Sequence, residues 1–223
     1  MPLAPVHPVQ SVLRFLSLPG FALAMVLALV ATPATATSSE DADLIAALRA
    51  GGLNLYFRHM ATEWSQSDHI RKEGDWRSCD SARVRQLSDV GREQARIVGS
   101  AIGQLRIPVG EVLASPYCRT VESARLLQLG EVRETFEVMN LRAATFVGGR
   151  ARVIATARAL LSSTPATGNR VIVAHGNVAR ESTPVYPGEG EMVIFEPLGD
   201  NGFRLLGRVA IDDWPRLLAL DTE

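Results

Sequence analysis

The chain has 223 residues, of which 47% are hydrophobic and 21% are charged, a composition typical of a folded domain and not of a disordered segment. The length suits one domain of moderate size with its own core. The formal net charge of −1 excludes the general basic field of a nucleic-acid-binding protein, so we expect no nucleic-acid partner. Any anion site must come from a local cluster of arginines.

The first 36 residues have the features of an export signal. Residues 21–31 form an unbroken apolar run, and Ala34-Thr35-Ala36 is a small-residue cleavage site. The run is short for a membrane span, which needs about 20 apolar residues, and a retained anchor is the alternative. We expect residues 1–36 to be a signal peptide and residues 37–223 to be the mature domain. That domain would be periplasmic or secreted, with no stable membrane insertion after cleavage.

The mature chain is predicted to begin with a helix that starts near Ser38 and ends at a pair of glycines. An apolar strand, residues 53–57, follows at once, and Arg58 and His59 stand at its carboxyl end. In open α/β sheets this edge is where ligands bind. A cation beside an imidazole packs poorly there, but the pair suits the binding of an anion next to a nucleophile.

The middle of the chain combines a long polar connection with two helices and a strand. Residues 61–86 are predicted to be a loop over the site, and residues 88–105 a helix capped by Ser88. A short strand, residues 111–114, leads to a second helix whose first turn carries Arg119. Because the first turn of a helix has unpaired N–H groups, an arginine there favours anion binding. A surface salt bridge is the simpler alternative.

The rest of the chain predicts a strand, a helix, a second buried strand and a hairpin, at residues 131–138, 150–161, 170–174 and 191–209. The second buried strand ends at His175, as the first ends at Arg58 and His59. Alternating strands and helices predict an α/β fold, a three-layer α/β/α sandwich with a mostly parallel central sheet and helices on both faces. If the two buried strands are neighbours, His59 and His175 emerge together, and Arg58 and Arg119 face the same space.

The two cysteines, Cys79 and Cys118, lie beside the stretches assigned to this site. An even count in an exported protein favours one disulfide, and two buried thiols are the alternative. Their spacing fits no zinc pattern, and the sequence has no Walker A, H-E-x-x-H or G-x-S-x-G motif.

Four motifs that follow one another between residues 53 and 195 resemble the histidine phosphatase superfamily. They are Phe57-Arg58-His59, the Leu-Ser-x-x-Gly-Arg-x-Gln-Ala run at residues 87–95, the Ser-Pro-x-x-Arg-x-x-x-Ser-Ala run at residues 115–124, and the late strand that ends in His175-Gly176. Each motif is weak by itself, and their order makes the resemblance specific.

The resemblance implies an exported phosphomonoesterase that needs no metal or cofactor and acts on a small-molecule phosphate ester. His59 would form a phosphohistidine, while Arg58, Arg119 and His175 hold the phosphoryl oxygens. Asn177 is a further candidate substrate contact. An envelope phosphosugar is the expected substrate by analogy, and a catalytically silent phosphate-binding member of the fold is the alternative. The oligomeric state stays open.

Two positions depart from the family pattern. Met60 stands where the family has Gly or Ala, and we expect its side chain at the floor of the pocket, where it would contact substrate and reshape access. The other departure is the acid that protonates the leaving alcohol, because the family's glutamate after the third motif has no convincing equivalent. We favour Glu191 over Glu189 for this role, and two solvated loop acids are the alternative.

Overall fold

The computed structural model describes residues 35–220, and for residues 35–38 it describes the backbone alone. Nearly all of the predicted signal peptide lies outside these residues, so that assignment stays a prediction. Among residues 35–220, no helix combines the length and the apolar character needed to cross a bilayer.

Helices and strands alternate along the described chain, as the sequence predicts. The helices are α1 (Thr35–Ala50), α2 (Asp89–Gln104), α3 (Cys118–Leu126), α4 (Arg150–Ser162), α5 (Gly176–Ser182) and α6 (Trp214–Ala219). The strands are β1 (Asn54–Arg58), β2 (Val109–Ala114), β3 (Val132–Glu134), β4 (Asn169–Ala174), β5 (Met192–Pro197) and β6 (Phe203–Val209). The first helix begins earlier than the predicted Ser38, β3 is shorter than predicted, and the short helices α5 and α6 were not predicted.

The described strands form one sheet in the order β3-β2-β4-β1-β5-β6. The pairs β1–β4, β2–β4 and β2–β3 are parallel, and β5 and β6 form an antiparallel hairpin beside β1. Arg58 stands opposite Ala174 in the register, so the next residues, His59 and His175, leave the sheet side by side. The prediction that the two buried strands are neighbours is confirmed.

Side chains of the central strands alternate between two apolar cores, one on each face of the sheet. On one face, Leu55 and Phe57 of β1 pack with residues of α1, α2, α3 and α6. On the other face, Tyr56 packs with residues of α4 and α5. The predicted α/β/α sandwich is therefore confirmed.

Two contacts hold the polar connection, residues 61–86, against the rest of the fold. Thr62 forms an isolated β-bridge with Leu87, and a disulfide joins Cys79 to Cys118, the first residue of α3. The preferred prediction for the two cysteines is confirmed. The disulfide brings the connection against the helical turn that carries Arg119.

Candidate active site

The two histidines meet at the carboxyl end of the sheet. Their ring centroids are 5.7 Å apart and the ring planes are inclined by 66°. His59 is 2% exposed and His175 is 1% exposed. The backbone N–H of His59 donates to the carbonyl of Ala174 over 2.9 Å, which continues the parallel ladder of β1 and β4 past the end of the strands. The juxtaposition predicted from the two strand ends is present.

The ring of His59 is held in one tautomer. Its Nδ1 lies 2.9 Å from the carbonyl oxygen of Met60, which can only accept, so Nδ1 carries the hydrogen. The lone pair of the neutral ring is therefore on Nε2. Burial and the charges of Arg119 and Arg58 lower the pKa of His59 well below 6.5, so the ring is neutral at pH 7. A neutral imidazole with its lone pair on Nε2 can act as a nucleophile.

Met60 serves the site through its backbone and not through its side chain. The side chain is completely buried in the core that covers the α2 face of the sheet, and it does not line the cavity described below. The Met60 N–H donates to Ser123 Oγ over 3.1 Å, and this hydroxyl donates to the carbonyl of Arg119 over 2.7 Å. The prediction that Met60 forms the pocket floor is wrong, because its thioether chain turns into the apolar core.

His175 is fixed by its neighbours in β1 and in the segment before α3. Its Nε2 lies 2.9 Å from Ser115 Oγ, and the Tyr56 hydroxyl donates to its carbonyl over 2.8 Å. The ring of Tyr117 packs edge-on against the imidazole at 4.8 Å. Burial and the charge of Arg119 lower the pKa of His175 well below 6.5. Its Nδ1 is buried without a hydrogen-bond partner among the described residues, so this nitrogen is left for a ligand.

A cavity of about 320 Å³ opens beside the two rings. Four arginines line it, namely Arg58, Arg85, Arg119 and Arg142, and Asp68 is the only acid among the lining residues. The other residues of the lining are His59, His175, Trp64, Gln66, Ser67, Asn140, Gly176, Asn177 and Tyr186. Guanidinium groups match the geometry and charge of phosphate oxygens, so this lining suits a phosphate group.

Three of the arginines that line the cavity pack on aromatic rings, and the guanidinium of Arg119 lies 4.7 Å from the centroid of Tyr117. The guanidinium of Arg58 lies 5.5 Å from the centroid of Tyr186, and that of Arg85 lies 4.1 Å from the centroid of Trp64. Burial, and then the charge of Arg119, lower the pKa of Arg85. Arg85 was not among the predicted site residues, because no motif distinguishes it from the other charged residues of the polar connection.

Arg119 forms a salt bridge, and that salt bridge is buried. Its Nη1 and Nη2 donate to the two carboxylate oxygens of Asp68 over 2.9 and 3.0 Å. The side chains of Arg119 and Asp68 are 1% and 2% exposed. Nη1 also donates to the carbonyl of Arg85 over 3.2 Å. A carboxylate of the polar connection therefore occupies the face of Arg119 that would bind a phosphate.

The preferred candidate acid, Glu191, faces away from the cavity. It accepts hydrogen bonds from Nε and Nη2 of Arg208 at 2.5 and 3.0 Å, and from the N–H of Gly188 at 2.7 Å. Burial would raise the pKa of Glu191, but the bonds from Arg208 and Gly188 hold it below the ordinary value. The carboxylate is therefore ionised at pH 7 and committed to Arg208. The preference for Glu191 over Glu189 as the proton donor is corrected on these grounds.

Glu189 is the acid that approaches His59. It accepts from the Thr62 hydroxyl over 2.7 Å and from the Thr62 N–H over 3.1 Å. Its Oε1 also lies 3.4 Å from Arg58 Nη2 and 4.0 Å from His59 Nδ1. Because it stands on the Nδ1 side of the ring and does not line the cavity, it supports the orientation of Arg58 and His59.

Asn177, a predicted substrate contact, lines the cavity with one free acceptor. Its Nδ2 donates to Asn140 Oδ1 over 2.9 Å, and the same oxygen accepts from the N–H of Arg142 over 3.0 Å. The second bond identifies the Asn140 atom as the oxygen, and this in turn fixes which way the Asn177 amide points. Asn177 Oδ1 is buried without a partner among the described residues and is available to a donor on a ligand.

Within residues 35–220, no group of three or more His, Cys, Asp and Glu side chains is placed to hold a metal ion. The groups gathered at the sheet edge are two neutral imidazoles, several guanidiniums and one carboxylate. The architecture and this cluster define an α/β sandwich with an arginine-lined cavity at the carboxyl end of its central strands.

Several solved structures that are similar to this chain are structures of phosphatases. The structure of the protein histidine phosphatase SixA complexed with tungstate is similar, with a TM-score of 0.50 and 13% sequence identity over 72% of this chain and 98% of that chain. A mycobacterial glucosyl-3-phosphoglycerate phosphatase has a TM-score of 0.48 and 16% identity over 70% of this chain and 97% of its own. The putative phosphohistidine phosphatase SixA from Agrobacterium tumefaciens has a TM-score of 0.48 and 13% identity over 72% and 99%.

No family model matches the sequence, and no curated protein matches it. The structural similarity shows that the chain has the fold of the histidine phosphatases. The resemblance stated from the four sequence motifs is confirmed at the level of the fold.

Proposed function

We propose that the protein is a phosphatase that hydrolyses a phosphate monoester through a phosphohistidine on His59. The observation that carries the proposal is the neutral His59 ring, with its lone pair on Nε2, beside a cavity lined by four arginines. The similar fold of SixA, which is a protein histidine phosphatase, supports it.

The proposed reaction has two steps. In the first, His59 Nε2 attacks phosphorus, the ester P–O bond breaks, and its electron pair leaves with the alcohol oxygen. Arg58, Arg85, Arg119 and Nδ1 of His175 bind the non-bridging oxygens and stabilise their charge. In the second step, water attacks phosphorus, the N–P bond breaks, and its electron pair returns to Nε2.

Export belongs to the same proposal. The apolar run and cleavage site of residues 1–36 support a periplasmic or secreted protein. The Cys79–Cys118 disulfide supports it as well, because disulfides persist in oxidising compartments.

The test of the nucleophile is the variant His59→Ala. Without Nε2 the covalent step cannot occur, so we expect kcat for p-nitrophenyl phosphate to fall by at least about 10³-fold. The matched control is His69→Ala, an exposed histidine of the polar connection, which should keep the activity of the unmodified protein. Retention of a tenth or more of the activity by His59→Ala would contradict the assignment. A wild-type protein that binds phosphate and hydrolyses no ester would favour the silent alternative.

We further propose that the leaving group carries a hydroxyl, as a phosphosugar does. The free and buried Oδ1 of Asn177 supports this, because a buried acceptor gains most from a donor on the ligand. The test is the variant Asn177→Ala with glycerol 3-phosphate and n-propyl phosphate, which differ in their hydroxyls. Loss of one hydrogen bond should lower kcat/KM for glycerol 3-phosphate by about tenfold more than for propyl phosphate. Equal losses on both esters would count against a hydroxyl contact at Asn177.

A further inference from the structure

Asp68 accepts hydrogen bonds from the terminal N–H groups of Arg119 that a substrate phosphate would need. Both terminal nitrogens of the guanidinium donate to its carboxylate, at 2.9 and 3.0 Å, and one of them also donates to the carbonyl of Arg85. The remaining nitrogen, Nε, is buried and has no hydrogen-bond partner within residues 35–220. A phosphoryl group can therefore bind the fork of Arg119 only after the carboxylate has moved away.

The burial of the Arg119–Asp68 pair favours replacement of the Asp68 carboxylate by a phosphate over simple loss of the carboxylate. Removing Asp68 alone would leave the guanidinium, which is 1% exposed, without a counter-charge, and an uncompensated buried charge is strongly unfavourable. A phosphate dianion restores the counter-charge and matches the same bidentate geometry. The carboxylate thus keeps Arg119 oriented when no substrate is bound.

The carboxyl group of Asp68 is at the cavity that His59 lines. Among the described residues that line this cavity, Asp68 is the only acid. Glu191 is committed to Arg208, and Glu189 lies on the Nδ1 side of His59. The oxygens of a bound dianion can accept a hydrogen bond from a carboxyl O–H, whereas a carboxylate beside them would repel them.

We propose that Asp68 is a built-in substitute for the substrate phosphate on Arg119, and that after displacement it donates the proton to the leaving alcohol. This inference rests on the proposed phosphatase function. Asp68 takes a proton from solvent when the ester binds, and gives it to the alcohol oxygen as the P–O bond breaks and the His59–phosphorus bond forms. In the second step the carboxylate takes a proton from the attacking water while the N–P bond breaks. Release of phosphate returns that proton to solvent and the carboxylate to Arg119.

The test compares Asp68→Asn with the unmodified protein on two esters and on inorganic phosphate. Glycerol 3-phosphate has a leaving group that needs a proton, whereas nitrophenolate leaves readily without one. We expect kcat to fall by about 100-fold for glycerol 3-phosphate, and by much less for p-nitrophenyl phosphate. Because the amide competes more weakly than a carboxylate for Arg119, we also expect inorganic phosphate to bind at least fivefold more tightly by calorimetry.

The matched control is Asp75→Asn, a buried aspartate of the same polar connection outside the cavity. Asp75 accepts from the N–H groups of Arg71 and Lys72 at 3.0 Å and pairs with Arg83 at 2.9 Å. Its loss should disturb the connection without changing the ratio of the two rates or the affinity for phosphate. If Asp68→Asn lowers both rates in the same proportion and binds phosphate no more tightly, Asp68 has a structural role alone and the proposal is overturned.

A measurement on the unmodified protein covers the case in which Asp68→Asn does not fold. In this measurement, kcat/KM is determined for a series of alkyl and aryl phosphates whose leaving alcohols have different pKa values. If a proton donor assists the leaving group, kcat/KM depends only weakly on the pKa of the alcohol. A steep dependence would overturn the role of Asp68 as the donor. Absence of hydrolysis for every ester would instead overturn the proposed function, and tighter phosphate binding by Asp68→Asn would then still support the exchange on Arg119.

Discussion

At the scale of single residues, the state of His59 is set by burial and by one backbone acceptor. The carbonyl of Met60 fixes the hydrogen on Nδ1, and burial with the neighbouring arginines keeps the ring neutral. His175 is neutral for the same main reason, its burial. Two neutral imidazoles can lie 5.7 Å apart among guanidiniums without the repulsion that two imidazoliums would add.

The lowered pKa values of the two histidines predict how stability depends on pH. In the unfolded chain both rings titrate near 6.5, whereas in the folded chain they titrate well below that value. Between the two values the unfolded state binds more protons, so stability is fully present above pH 6.5 and declines as the pH falls towards the folded pKa values. Each histidine contributes a loss of up to about 1.4 kcal/mol per pH unit in that window.

Urea unfolding at pH 7.5 and pH 5.5 measures this effect. The unmodified protein should be less stable at pH 5.5, and a variant with His59→Asn and His175→Asn together should lose less on the same change of pH. The carboxylates are common to both proteins, so their contribution cancels in the comparison. An identical pH dependence of the two proteins would contradict the buried neutral state of the rings.

Residues at the ends of buried strands could be predicted from the sequence, and residues of the polar connection could not. His59 and His175 follow apolar runs, so the parallel register alone brings them together. The roles of Asp68 and Arg85 depend on how a 26-residue polar segment folds back over the sheet, which no periodic pattern encodes. The side chain of Met60 was predicted on the wrong side, because its position next to a histidine in the sequence does not show whether the side chain points to the cavity or to the core.

At the scale of elements, α2 has a direct part in positioning His59. The N–H and the hydroxyl of Ser88 donate to the carbonyl of Ala61 at 3.0 and 3.2 Å. A Cβ atom on Gly91 would lie 2.1 Å from the same oxygen. Ala61 follows Met60, whose carbonyl holds the ring of His59. The Ser-x-x-Gly spacing of the second motif therefore allows the start of α2 to pack closely against the segment after β1. The serine supplies the hydrogen bonds, and the glycine leaves room for the backbone.

The variant Gly91→Ala tests this contact. The methyl group has no space beside the backbone of Ala61, so the segment that orients His59 must shift, and we expect kcat to fall by at least about tenfold together with a lower melting temperature. The control is Gly103→Ala in the same helix, where a Cβ would meet nothing within 4 Å. It should keep full activity and gain about 0.5–1 kcal/mol of stability from helix propensity. Equal activity of the two variants would refute the positioning role of α2.

The elements that the sequence analysis missed or misjudged are short. Helix α5, Gly176–Ser182, has seven residues, too few for an apolar periodicity to stand out. Strand β3, Val132–Glu134, has three residues because it pairs with β2, and β2 ends at Ala114, opposite Glu134. Elements with a clear apolar pattern, such as the amphipathic helix α2 and the buried apolar run of β4, were predicted close to their observed bounds.

At the scale of the whole molecule, the candidate site exists only in the folded chain. His59 and Arg58 come from the end of β1, Arg119 from the start of α3, and His175 from the end of β4. The sheet order places β4 between β2 and β1, so the carboxyl ends of all three strands meet beside one cavity. The Cys79–Cys118 disulfide then fastens the connection that carries Asp68 and Arg85 to the helix that carries Arg119.

The most direct test of the central claim is to trap the covalent intermediate. The protein is mixed with ³²P-labelled p-nitrophenyl phosphate, quenched in alkali within milliseconds and digested, and the labelled peptide is sequenced by mass spectrometry. We expect an acid-labile, alkali-stable phosphoryl group on His59, and none in the variant His59→Ala. Hydrolysis of the ester without a labelled intermediate, or a label on His175 in place of His59, would contradict the account.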